Sequence, residues 1–100
     1  MKTTQYLLVY GRVQGVGFRY FTRNSAIHLG VTGWVRNLHD GRVELVAHGL
    51  PEILIKFKEL LRRGPASAKV SSIEVQVVVT EQSMKEFEIR EDGEALCLKK

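Results

Sequence analysis

Two short stretches hold the residue types that do chemistry on an anion. The first, "YGRVQGVGFRY" at residues 10–20, sets Gly15 and Gly17 two apart and follows them with Arg19. Glycines let successive peptide N–H groups turn inward without a Cβ clash, the geometry of an anion-binding nest. The loop leads into a helix-like segment, whose first N–H groups lack partners and whose dipole favours negative charge. Arg19 adds a planar fork of charged donors suited to bidentate capture of phosphate. A glycine-rich strand-to-helix loop alone is as readily a tight turn; the arginine tilts the balance toward phosphate. The second stretch, "GWVRNLHDGRVEL" at residues 33–45, carries Asn37. Its position alone marks it as the opening of a hairpin turn, where Asn is common.

Other chemistries fit poorly. The loop lacks the Gly-Lys-Ser/Thr ending of a Walker A motif, and a dinucleotide fingerprint would need glycine at Tyr20. His28, His39 and His48 share no metal-ligand spacing, and Cys97 is the only cysteine, so no metal site is expected. Ser67, Ser71 and Ser72 have no paired base for a covalent route.

The elements that must position these residues follow from periodicity. "QYLLVYGRV" at 5–13 reads as a strand. Phe18, Phe21, Ser25 and Leu29, with Ala26 beside them, have helical spacing, and Gly30 supplies a left-handed stop. "VTGWVRN" and "RVELVAHG" are strands around the hairpin signal Asp40-Gly41. A second helix starts at Pro51, carries Ile53, Leu54, Phe57, Leu60 and Leu61 on one stripe, and ends at Gly64-Pro65. Ile73, Val75, Val77 and Val79 share one face of a long strand. After a turn near Gln82-Ser83, Phe87 and Ile89 share a face of the last strand.

The order β-α-β-β-α-β implies an α+β, ferredoxin-like sandwich. Both helices pack on one face of an antiparallel sheet of four strands, or five if the long fourth run adds an edge strand. Residues 1–91 form the domain, and residues 92–100 an unpatterned tail of uncertain structure. One hundred residues at 44% hydrophobic and 26% charged suit one globular core. The first apolar run stops at Gly11, too short for a signal peptide or a membrane span. With a single cysteine, a monomer of the cytoplasm is expected. A net charge of +4 from scattered basic residues suits small anions as much as nucleic acid.

Together, "GRVQGVGFRYF" and "GWVRNLHDGRVEL" closely resemble the acylphosphatase family, and Gly64-Pro65 with "SAKV" and the later "FEIR" fall where that family has matching segments. The resemblance spans roughly residues 5–90. It implies hydrolysis of the carboxyl-phosphate bond of acyl phosphates without metal or cofactor. It further implies that Gln14, Gly15, Val16, Gly17 and Phe18 cradle the phosphate through backbone N–H groups, that Arg19 binds phosphoryl oxygens, and that Asn37 orients the attacking water. Inorganic phosphate or sulfate would occupy the same cradle. One departure stands out. In several members the chain ends just after the "FEIR"-like strand and the terminal carboxylate helps hold the arginine. Here ten residues follow Arg90, so a side chain or a water must take that part.

The chemistry is self-consistent. In-line attack needs charge stabilisation, a placed water and a good leaving group. A carboxylate, whose acid titrates near pH ~4 to 5, leaves unaided at neutral pH. No general acid is required, and neither motif offers an Asp, Glu or His clearly placed as an acid-base pair. Asn37 can accept from water and donate to an oxyanion without taking its proton. The proton would pass to a phosphate oxygen of the substrate.

The alternative from another class is a non-catalytic module of the same fold, binding a small ligand or RNA. An RNA-binding module would present stacking aromatics on the third strand, but "RVELVAHG" has none. Neither nucleic acid nor membrane is expected as a partner. A third possibility is a domain of a larger carbamoyl-transfer maturation protein; with no zinc fingers following, a free-standing enzyme is expected.

Overall fold

The computed structural model describes residues 1–79 and 84–94. The turn placed at Gln82-Ser83 and Cys97 lie outside the described residues. The elements run β1 (Thr3–Arg12), α1 (Phe18–Leu29), β2 (Thr32–Asn37), β3 (Val43–Gly49), α2 (Pro51–Arg63), β4 (Lys69–Val78) and β5 (Phe87–Ile89). They form one five-stranded sheet in the order β4-β1-β3-β2-β5.

The first four strands pair antiparallel, as expected, but β5 runs parallel to β2. The long fourth run stays whole as β4, and the fifth strand comes from the "FEI" segment instead. The reason is directional. Both β4 and β3 run against β1, so β2 runs with β1 and against β4. A chain leaving β4 and returning at the far edge enters β5 from the end at which β4 finished. It must therefore run alongside β2.

Period-two alternation sorts the strand residues to two faces. Leu7, Val9, Val35, Val43, Leu45 and Ala47 meet the helices, with Phe18, Ala26, Leu54, Phe57 and Leu61 opposite them, in one buried cluster. Phe57 of α2 meets Phe87 of β5 edge-on, with ring centres 6.0 Å apart. Such a contact adds ~0.5–1.5 kcal/mol beyond burial. Both helices stop at glycine, Gly30 in the left-handed region at φ 76° and Gly64 at φ 65°.

The expected face of Ile73, Val75, Val77 and Val79 is only partly covered. Ile73 packs against the core, whereas Val75, Val77 and Val79 are exposed. β4 is an edge strand, with a partner strand on one side only.

The other sheet face carries Tyr6, Trp34 and Val46, with Leu8, Val78 and Met84 at the margin. At its centre Glu44 is fully buried and accepts hydrogen bonds from Tyr6 Oη and, at 2.7 Å, from Arg36 Nε on the facing strand. Arg36 and Arg90 both stack on Trp34, at 5.4 and 4.7 Å from its ring centre. No helix among the described residues is long and apolar enough to cross a membrane.

Candidate active site

At the end of β1 the pairing with β4 slips between Tyr10 and Gly11, and the strand gives way to the loop at residues 13–17. Gly15 and Gly17 sit at φ 72° and 80°, in the region that side chains rarely adopt. Gly17 is also the N-cap of α1, and it offers no capping side chain. No acidic residue stands in the first turn. The N–H groups of residues 14–20 donate to no acceptor among the described residues. A run of free donors at an uncapped, uncompensated helix start is a positive pole built from backbone.

Val16 packs partly against the core, and the Phe18 ring is buried beneath the helix start, leaving only their peptide groups for a ligand. The Gln14 side chain turns away from the loop. Its Nε2 donates to the carbonyl oxygens of Leu38 at 2.7 Å and Arg42 at 2.9 Å. Arg19, in the first turn of α1, is one-third exposed, and its Nη1 lies 3.7 Å from Asp92 Oδ1.

Asn37 ends β2 on the helix face, two residues on from Val35, and is 7% exposed. Its Oδ1 is buried and accepts no hydrogen bond among the described residues. Its backbone carbonyl accepts from Gly93 N–H at 3.1 Å. Beyond it the hairpin closes through Leu38 N–H to Arg42 O, 2.9 Å, with Gly41 at φ 98°. The Arg42 side chain and N–H beside Asp40 hold its carboxyl below the ordinary carboxylate value.

Residues 92–94, read from sequence as tail, begin in register with the sheet. Gly93 bridges Leu38, His39 N–H donates to Gly93 O at 3.0 Å, and Arg36 Nη2 donates to Glu94 O at 2.6 Å. A side chain at Gly93 would meet Arg36 Nη1 at 2.6 Å, so glycine suits this crossing. The loop at residues 14–19 and Asn37 are thus tied together on both sides. Gln14 reaches the residue after Asn37, while Arg19 reaches the residue before Gly93, which holds Asn37. Sequence alone missed Asp92, Gly93 and the Gln14 clasp, because each acts across the fold rather than within a motif.

Among the described residues no three His, Cys, Asp or Glu side chains gather as a metal site. The open hollow of about 240 Å³ is lined by His39, Asp40, Arg42, Gly93 and Glu94, none of them a site residue named from sequence. On the open sheet face the Glu44 carboxylate is buried, and Arg36 and Arg90 cover Trp34.

Comparison with known proteins decides the family. Residues 5–89 match the acylphosphatase family model. The chain belongs to the acylphosphatase family. Its activity is that of the family, a hydrolase acting on acyl phosphates. An acylphosphatase of Rhizobium etli is 49% identical over 81 residues, covering 81% of this chain and 86% of its own length. The crystal structure of acylphosphatase from Bacillus subtilis matches with a TM-score of 0.85 at 39% identity, covering 90% of this chain and 99% of that one. Full-length HypF in its phosphate- and nucleotide-bound form also matches, with a TM-score of 0.86 at 26% identity. That match covers 94% of this chain and only 12% of HypF. The fold thus occurs both alone and inside a much longer protein.

Proposed function

We propose that the phosphoryl group of the substrate sits in the loop at residues 14–18, receiving its free N–H groups and the Arg19 guanidinium, while Asn37 Oδ1 accepts a hydrogen bond from the attacking water. The observation that carries this reading is the buried, unpartnered Asn37 Oδ1, strapped to a run of unpartnered N–H donors. A buried acceptor without a partner costs ~1–3 kcal/mol, a penalty that a bound water would relieve. The donors stabilise charge on the phosphoryl oxygens, and the asparagine fixes the approach of the nucleophile. The water's proton passes to a phosphate oxygen of the substrate, and the carboxylate departs as an anion. Every catalytic contribution is then one of position and charge.

The enzyme works without metal, as a cytoplasmic monomer; sedimentation tests the oligomeric state. A carboxylate leaving group needs neither Lewis acid nor proton donor. The test compares acetyl or benzoyl phosphate with a phosphate monoester, each with and without EDTA. Hydrolysis of the acyl phosphates alone, unaffected by EDTA, is expected. Equal hydrolysis of the monoester, or EDTA inactivation reversed by a metal, would refute the mechanism. Asn37→Ala should lower kcat while inhibition by inorganic phosphate persists.

A further inference from the structure

Resting on that reading, the geometry points to Gln14 as a positioning residue whose side chain, not its backbone, sets Asn37 against the cradle. Its single amide nitrogen spans the neck of the hairpin, donating one hydrogen to Leu38 O and the other to Arg42 O. These carbonyls stand on opposite sides of the turn, one just after β2 and one just before β3. Both already accept a turn hydrogen bond, Leu38 O from Gly41 N–H at 3.2 Å and Arg42 O from Leu38 N–H at 2.9 Å. A carbonyl oxygen has two lone pairs, so the amide fills the remaining capacity of each.

Two acceptors facing one nitrogen also decide the amide's orientation, because only the NH₂ end satisfies them. The clasp is selective for glutamine. Glutamate has the same length but turns a charged acceptor on two acceptors. Asparagine is one methylene short.

The consequence concerns Asn37. Among the described residues its Oδ1 has no partner, so the backbone of β2 sets where that oxygen points. That backbone is held by Gly93 at the Asn37 carbonyl and by Gln14 at the carbonyl of Leu38, the next residue. Gln14 is itself the first residue of the proposed cradle at residues 14–18. One residue therefore belongs to both halves of the site and fixes their separation. Misplacing a reacting group by ~1 Å costs on the order of 10²-fold.

The test is a double-mutant cycle with benzoyl phosphate as substrate and inorganic phosphate as inhibitor. Gln14→Met, which keeps the length and neutral charge but removes both donors, should lower kcat about 10- to 100-fold while the phosphate inhibition constant changes less than about 3-fold. Against an Asn37→Ala background the same change should lower kcat less than about 2-fold, since the oxygen it positions is already gone. Gln14→Leu, likewise neutral and without donors, repeats the cycle if the methionine variant does not fold. An unchanged kcat in a folded variant, additive losses in the double variant, or equal loss of phosphate inhibition would each overturn the clasp. If Asn37→Ala alone leaves kcat intact, the water-orienting reading itself fails, which is a separate result from additivity.

Discussion

Replacing Arg19 by glutamine separates function from stability more cleanly than any other change at this site. The guanidinium is one-third exposed, and its ion pair is a 3.7 Å contact to Asp92, which is half exposed. Such a pair contributes at most about 1 kcal/mol. Against it stands a cation at the positive end of the α1 dipole, unfavourable by ~0.3–1 kcal/mol. The two offset, so Arg19→Gln should move Tm by less than about 4 °C in a domain where 1 kcal/mol corresponds to ~4–8 °C. Catalysis has no such compensation. Opposite unit charges ~4 Å apart gain about 4 kcal/mol at an effective dielectric of 20. Loss of a preorganised donor to an oxyanion costs ~2.7–4 kcal/mol, or 10²–10³ in rate. Hydrolysis of benzoyl phosphate should therefore fall at least 10²-fold in kcat/KM, with inhibition by inorganic phosphate weakened in parallel. A folded variant with an unchanged phosphate inhibition constant would show that Arg19 is not part of the cradle.

Asp92→Asn should release Arg19 from its carboxylate and lower kcat/KM about 3- to 5-fold at low ionic strength, with the difference vanishing near 1 M salt, where screening acts within ~3 Å. A rise in kcat/KM would mean instead that Asp92 chiefly repels the substrate. Gly33→Ala should be a stability mutation without a catalytic one. Gly33 sits at φ 142°, and a Cβ there would overlap the Val46 carbonyl on β3. The backbone strain alone is on the order of 1–3 kcal/mol, measurable as a lower urea midpoint. A wild-type midpoint would contradict the close β2–β3 approach.

Periodicity and punctuation made most of the architecture legible. Phe18, Ala26 and Leu29 at helical spacing, and Leu54, Phe57 and Leu61 on the next stripe, identify faces that need cover. Gly30, Gly41 and Gly64 mark where the chain leaves regular structure. What periodicity omits is the identity of the covering neighbour. Val75 and Val77 alternate as core residues do, yet β4 is an edge strand and they face solvent. Glu44 lies on the open sheet face, yet Tyr6 and Arg36 close over it. The glycine-rich loop of free N–H groups was legible because its donors belong to consecutive residues. The Arg19–Asp92 pair and the Gln14 clasp were not, since one spans 73 residues and the other 24 to 28.

The two helices of this chain show what the site costs the fold. α2 starts conventionally, with Pro51 removing a surplus donor and Glu52 answering the dipole. α1 starts with a left-handed glycine, no capping side chain and an arginine where an acid would stabilise. A Ser, Thr or Asp cap contributes ~0.5–2 kcal/mol, so that start has been left measurably short of its optimum. A cap would consume the donors that an anion needs, and an acid in the first turn would repel it. In the proposed mechanism anion binding restores the deficit, because a ligand held only by the native state stabilises it by about 2.7 kcal/mol at 100 times its dissociation constant. An unsatisfied helix start and an unsatisfied Asn37 oxygen are therefore one feature, polar capacity that the fold withholds from itself. In the proposed mechanism, improving α1 as a helix would remove the charge pattern that hydrolysis uses, so stability and activity would compete at residues 17–19.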